Sequence, residues 1–186
     1  MEIEPIMGLV KKAGNRIMEI YADAIDVTYK EDKSPVTKAD TASEEILKEG
    51  LAHYGFGCIC EETPEDALDH DYIWVIDPLD GTTDFVNHTG QFSIMVGLLY
   101  RHQPILGVVY APALEKLYTA QKGKGAYLNG SPISVSTIQD IRQFRVYTSK
   151  FHFDSGDQGI IDRLGVASFQ RFGSAGLKVG LVAEGA

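Results

Sequence analysis

WVIDPLDGTTDF, residues 74–85, is the stretch that decides how this chain folds. Ile73, Trp74, Val75 and Ile76 form an apolar run of the kind that fills a buried strand, and they deliver Asp77 at its end. Pro78, Leu79, Asp80, Gly81, Thr82 and Thr83 follow. Two carboxylates so close in sequence, at the end of a buried strand, suit a hard divalent cation. The Leu79 carbonyl between them offers a further oxygen. An all-oxygen donor set favours Mg²⁺ or Mn²⁺ over zinc or copper. Gly81, Thr82 and Thr83 offer backbone N–H groups and hydroxyls to an anion, and a helix starting near Thr82 would aim free N–H groups at a phosphate. The same residues also read as a strand end followed by an Asp-Gly turn.

Upstream, Ile6, Leu9, Val10, Ala13, Ile17 and Ile20 recur at helical spacing and predict a helix over 2–24. Residues 29–36 read as a charged loop broken by Ser34-Pro35. A second helix is expected from Asp40 or Thr41, where Thr41 and Glu44 have capping-box spacing. Gly57 to Cys60 is short and strand-like, and ends at the acidic pair Glu61-Glu62. Glu61 follows an apolar stretch as Asp77 does, so two strands ending together would bring it to the aspartates; alone, the pair reads as a solvated loop. Asp40 alone reads as a helix cap.

Downstream the pattern turns to β alternation: SIMVGLLY, PILGVVYA, KLYTA, GAYL and PISVS, with Asn129-Gly130 as a hairpin turn. The glycines of KGKGAYLNG, 122–130, lack the Lys-Ser/Thr ending of a phosphate loop and read as hairpin glycines. Residues 144–149 and 166–172 are strand candidates, with a short helix at 157–164 between them. Ser149, Lys150 and His152 end the first of these and also read as an ordinary polar loop. Gly173-Ser174-Ala175 opens a last apolar helix, expected to be still running at Ala186. Helices first, then a β meander, then alternating elements predict an α+β chain in layers of helix and sheet. The polar stretch 136–143 marks a boundary between residues 1–140, an N-terminal metal- and phosphate-binding domain, and residues 141–186, the start of a C-terminal α/β substrate domain.

The chain has 186 residues, enough for a substantial core, and a net charge of −9, which argues against a nucleic-acid polymer as partner. An acidic protein can still bind a phosphorylated small molecule when bound cations reverse the local field. No apolar run approaches a membrane span, and the N-terminal residues do not resemble a secretory signal, so a cytoplasmic location is expected. Cys58 and Cys60, the only cysteines, read as buried reduced thiols and make a poor zinc site.

SPVTKAD at 34–40, Glu61-Glu62 after a strand, WVIDPLDGTTDF, and Gly173-Ser174-Ala175 occur in one order. That order resembles the inositol monophosphatase superfamily of Mg²⁺-dependent, often lithium-sensitive phosphomonoesterases, over essentially the whole chain. The resemblance implies a layered α/β/α/β/α sugar-phosphatase fold with its C-terminal part incomplete. It implies two or three Mg²⁺ ions, with Glu61, Asp77, Asp80 and the Leu79 carbonyl as ligands. Asp40 and Thr82 match the pair that orients and deprotonates the attacking water, and Gly81, Thr82 and Thr83 match the phosphate cradle. Members often form homodimers. The family carries a further metal-binding aspartate in a Trp-Asp motif beyond the last helix seen here, and this chain has no such residue. A fragment, with a weakened second metal site, is therefore expected.

Within the superfamily, DKSPVTKAD, PILGVVYAP, the Ser149-to-His152 segment and GLKVGLVAEG resemble the 3′(2′),5′-bisphosphate nucleotidases. That branch implies hydrolysis of adenosine 3′,5′-bisphosphate to AMP and phosphate, with Ser149, His152, Gly173 and Ser174 on the substrate. Thr83 followed by Asp84 departs from it, because the nucleotidases usually have lysine and then an acid, and Thr83 looks more like the inositol phosphatases. Inositol 1-phosphate or a sugar bisphosphate are the rival substrates. An inactive metal- or phosphate-binding module is the rival of another class.

Overall fold

The computed structural model describes residues 1–23, 27–29, 35–61 and 69–186. Glu62 and most of the charged loop expected at 29–36 lie outside the described residues. Helix α1 (Glu4–Tyr21) has Pro5 in its first turn, where a missing N–H costs nothing. Its buried stripe is Ile6, Val10, Ala13, Gly14 and Ile17, close to the expected face. A short antiparallel pair, β1 (Val27–Tyr29) and β2 (Pro35–Thr37), leads into helix α2 (Lys38–Leu51).

Helix α2 starts earlier than expected. Thr37, not Thr41, is the N-cap, and the capping box is formed by Thr37 and Asp40. Both pairs have the required spacing, so local sequence alone does not choose between them. Tertiary contacts choose: the earlier start buries Asp40 and Ser43, and both then reach the 77–82 segment.

The main sheet has seven strands in sequence order: β3 (Gly57–Cys60), β4 (Tyr72–Asp80), β5 (Ser93–Tyr100), β6 (Gln103–Ala111), β7 (Lys116–Gln121), β8 (Gly125–Leu128) and β9 (Ser131–Ile133). β3 and β4 are parallel, so Glu61 and Asp77 emerge from the same sheet end. The remaining pairs are antiparallel, as a meander of short connections requires. Asn129 and Gly130 both have positive φ, 49° and 82°, and turn β8 into β9. The KGKG glycines turn β7 into β8.

Trp74, Ile76, Ile94, Val96 and Leu98 share one core with the apolar faces of α1 and α2. Each fully buried side chain of this size contributes about 1.5–3 kcal/mol. Cys60 is buried in the same core and Cys58 is half-buried; they are reduced, with a thiol–thiol contact of 3.5 Å between their sulfurs.

The chain then forms a second, parallel sheet of β10 (Arg145–Ser149) and β11 (Ser168–Phe172), joined by α4 (Ser155–Leu164). Helix α5 (Ala175–Ala183) touches β5 and β6 on one side and β10 and β11 on the other. Helix, sheet, helix and sheet therefore alternate as layers. Gly176 lies against Ser93 and Met95, and Gly180 against the Tyr118 ring, where any larger side chain would collide. Helix α5 does not run to Ala186 as expected. It stops at Ala183, because Glu184 is held by Lys116 (2.6 Å) and the Tyr118 hydroxyl (2.9 Å), and Gly185 turns at φ 81°.

Candidate active site

Asp77 and Asp80 share one face of β4, which regular strand geometry forbids. Residues separated by an odd number of positions point to opposite faces of a strand. Here Asp77 opposes Met95 and Asp80 opposes Ser93, with a register shift between the two aspartates. Three steps on β4 thus match two on β5. The extra residue is a β-bulge, placed where Pro78 cannot donate to the ladder. The strand was expected to stop at Asp77; it continues through the bulge to Asp80.

The half-buried Asp77 carboxyl has its pKa pushed up to about 8, first by burial and then by the charges of Glu61 and Asp80. Glu61 also hydrogen-bonds to it. Parallel pairing of β3 with β4 thus brings Glu61 onto Asp77. Asp77 Oδ1 accepts from the Leu79 N–H (3.1 Å), which holds the bulge closed.

Asp40 arrives from α2. One of its oxygens, Oδ2, accepts from the Thr37 N–H and hydroxyl, both at 2.7 Å. The other, Oδ1, accepts from the Thr82 hydroxyl at 3.1 Å. Burial raises its pKa, and the bonds from Thr37 and Thr82 partly counter this. The Thr82 hydroxyl stands equally close to the Leu79 carbonyl, 3.1 Å, so its single proton has two acceptors. Thr82 opens the short helix α3 (Thr82–Val86), whose N-cap, Gly81, has φ 92° and gives no side-chain cap.

Ser43 is a residue that sequence reasoning missed. Its buried hydroxyl donates to the Pro78 carbonyl at 2.8 Å and ties α2 to the bulge. Ser43→Ala leaves that carbonyl without this donor and is expected to cost about 1–3 kcal/mol, read as a lower urea midpoint. An unchanged midpoint would show that the bulge is held without Ser43, by β4–β5 pairing and the Leu79–Asp77 bond.

Asp80 is held from the far side of the sheet. Its Oδ2 accepts from Ser93 (3.2 Å), from the Ser174 hydroxyl and from Gly176 N–H (2.7 Å), and Oδ1 from Ala175 N–H (3.1 Å). Ser174 is the N-cap of α5 and bonds Ser93 at 2.9 Å. Gly173 donates its N–H to Gln91 Oε1 (3.2 Å) and accepts from Lys178 Nζ (2.6 Å). Gly173 and Ser174 thus join the Asp80 side of the site. Ser149 and His152 bond each other, 3.2 Å from Oγ to Nδ1, in the turn after β10. Lys150, between them, pairs with buried Asp84 at 3.1 Å.

Among the described residues, no three His, Cys, Asp or Glu side chains are drawn together as a ready-made cation cage. The carboxyl pair of Glu61 and Asp77 is nonetheless the donor set a hard cation requires. Asp77, its pKa raised by burial and by the charges of Glu61 and Asp80, is a carboxyl whose ionised form a bound cation would stabilise. A cavity of about 640 Å³, lined by residues of the α1 start and of β7 and β8, touches none of the candidate residues.

The model of the inositol monophosphatase family matches residues 2–186. A 3′(2′),5′-bisphosphate nucleotidase CysQ of Salmonella typhimurium is 35% identical over 190 residues, covering 98% of this chain and 77% of that relative. The Thermotoga maritima IMPase superposes with a TM-score of 0.89 at 28% identity, covering 98% of this chain and 72% of that one. An IMPase/NADP phosphatase solved with Mg²⁺ and phosphate is alike in fold, with a TM-score of 0.84 at 24% identity over 97% of this chain and 70% of that one. Layered fold and relatives together define a phosphatase, a hydrolase of phosphate monoesters. The chain belongs to the inositol monophosphatase family, as its motif order implies.

Proposed function

We propose that this phosphatase hydrolyses adenosine 3′,5′-bisphosphate to AMP and phosphate, with Mg²⁺ at the Glu61, Asp77 and Asp80 carboxylates. The observation that carries the chemistry is the bond from Thr82 to the buried, raised carboxylate of Asp40, next to the Glu61–Asp77 pair. Similarity to CysQ over nearly the whole chain supports the substrate.

Glu61, Asp77, the Leu79 carbonyl and Asp80 would hold the metal, which supplies Lewis-acid neutralisation of phosphoryl charge when bound. Gly81, Thr82 and Thr83 hold the phosphate with backbone N–H groups and hydroxyls. The Thr82 hydroxyl accepts a proton from the attacking water and passes its own to Asp40 Oδ1. Burial makes Asp40 more basic than an ordinary carboxylate, which suits a general base. The water oxygen forms the new P–O bond, the ester P–O bond breaks opposite it, and the leaving alkoxide takes a proton from solvent water to become the alcohol. Ser149, His152 and Gly173 line the side on which the remainder of the substrate rests, and buried Ser174 supports it from behind through Asp80.

Phosphate release with Mg²⁺, compared between adenosine 3′,5′-bisphosphate and inositol 1-phosphate, tests this reading. The expected result is a clearly higher kcat/KM for the nucleotide. A preference for inositol 1-phosphate would reassign the substrate, in line with the high structural likeness to the Thermotoga IMPase. Release from neither ester would remove the catalytic role of Asp40 and Thr82.

A further inference from the structure

Asp84 is a buried acid that the chemistry above does not use. It lies in the first turn of α3, two positions past Thr82, and its side chain is only 1% exposed. Its Oδ1 accepts from the Thr89 hydroxyl (2.5 Å) and the Lys150 ammonium (3.1 Å). Its Oδ2 is buried without a hydrogen-bond partner and abuts Gly173, where a Cβ would overlap the carboxylate. The carboxylate is therefore wedged between α3 and the β11–α5 junction and cannot swing away from Lys150.

Lys150 is fixed at its backbone as well. Its N–H donates to the Phe172 carbonyl at 3.0 Å, just past the paired ends of β10 and β11. Its side chain stays 32% exposed. The bond to Asp84 uses one of the three N–H donors of an ammonium. Lys178, the other lysine near Asp80 and Asp84, is turned onto the Phe172 and Gly173 carbonyls at 3.3 and 2.6 Å. Lys150 thus presents a positioned, partly open cation beside the Gly81–Thr83 turn, in a chain of net charge −9.

We infer that Lys150 is a specificity-determining residue that binds a second phosphate of the substrate, and that Asp84 is the positioning residue that aims it. This rests on the phosphatase reading of the same site. An ammonium meeting a phosphate dianion across a partly desolvated gap makes a charge-assisted hydrogen bond, stronger than a neutral one. A substrate lacking the second phosphate leaves Lys150 with Asp84 alone and gains nothing from it. If Lys150 were only a structural tie between α3 and β10, losing it would harm all substrates alike.

Adenosine 3′,5′-bisphosphate and adenosine 3′-monophosphate share the scissile ester and differ only in the 5′-phosphate. Lys150→Met is expected to lower the ratio of their kcat/KM values about 10- to 100-fold, mainly through KM for the bisphosphate. Lys150→Arg should restore most of the ratio, and Asp84→Asn should lower it by less than Lys150→Met. Lys150→Gln keeps a donor toward Asp84 without the charge and gives the same comparison should Lys150→Met fail to fold. A ratio unchanged in the variant that folds, with both esters still hydrolysed, overturns the role of Lys150 alone. A wild-type chain that releases phosphate from neither adenosine ester overturns the nucleotide reading of the substrate and this inference with it.

Discussion

Asp77→Asn is expected to reduce phosphate release on the order of 10³-fold or more while making the metal-free protein more stable near neutral pH. Both effects come from one carboxyl. Asp77 sits between Glu61 and Asp80, and burial with these neighbours pushes its pKa from 3.8 in a free chain to about 8. Without a cation, folding therefore requires Asp77 to bind a proton that the unfolded chain has released. Wherever the folded state binds more protons than the unfolded one, stability falls as pH rises. For Asp77 that window opens near 3.8 and closes near 8, above which both states are ionised and the cost is complete. Asparagine keeps the oxygen that accepts from the Leu79 N–H and removes the charge that Glu61 and Asp80 repel.

Thermal unfolding without divalent cation, followed from roughly pH 5 to pH 8, reads this directly. The wild-type midpoint should drop across the range more than that of Asp77→Asn. Added Mg²⁺ should raise the wild-type midpoint, since a ligand of the folded state alone stabilises it, and should raise the variant's less. Full retained turnover in Asp77→Asn would falsify the placement of Asp77 at the reacting phosphate. Parallel pH profiles of stability would show that Glu61 and Asp80, rather than Asp77, carry the stored repulsion.

Much of this arrangement is legible in the chain because its signals are local. An apolar run delivering Asp77 marks a buried strand, and its parallel pairing with the run that delivers Glu61 places Glu61 beside Asp77. The strands from 93 to 133 follow from alternation and from turn residues whose positive φ is a local property. The bulge between Asp77 and Asp80 is not legible, because it breaks the very alternation by which strands are read. The start of α2 is ambiguous for a different reason. Thr37 and Thr41 both satisfy capping-box spacing, and the choice is made by Ser43 meeting the Pro78 carbonyl and Asp40 meeting Thr82, partners 35 and 42 residues away. Lys150 and Asp84 are 66 residues apart, and nothing local to either one marks the pair. Asp80 finds the first amides of α5 after a separation of 95 residues or more, so its anchoring had no local trace beyond the Gly-Ser-Ala step.

Asp40→Asn is expected to lower kcat by about 10²- to 10⁴-fold, the usual worth of a general base, with little effect on KM. Asparagine is the informative replacement. Its side-chain oxygen can still accept from Thr37, so the capping box that starts α2 is weakened rather than lost, whereas alanine would remove it and confound catalysis with folding. Thr82→Val removes the hydroxyl that bridges to Asp40 and keeps the volume. If Thr82 and Asp40 form one proton path, either change breaks the whole path. The double variant should then be scarcely slower than the worse single one, as residues acting as a unit are strongly non-additive. Costs that multiply would instead mean separate roles, with Thr82 holding phosphate and Asp40 acting through some other contact. The pH profile gives an independent reading. The base must be ionised to accept a proton, so wild-type kcat should rise with pH through the Asp40 pKa, which burial places above the ordinary 3.8. That rise should vanish in Asp40→Asn and persist, at a lower plateau, in Thr82→Val if a water can take the place of the hydroxyl.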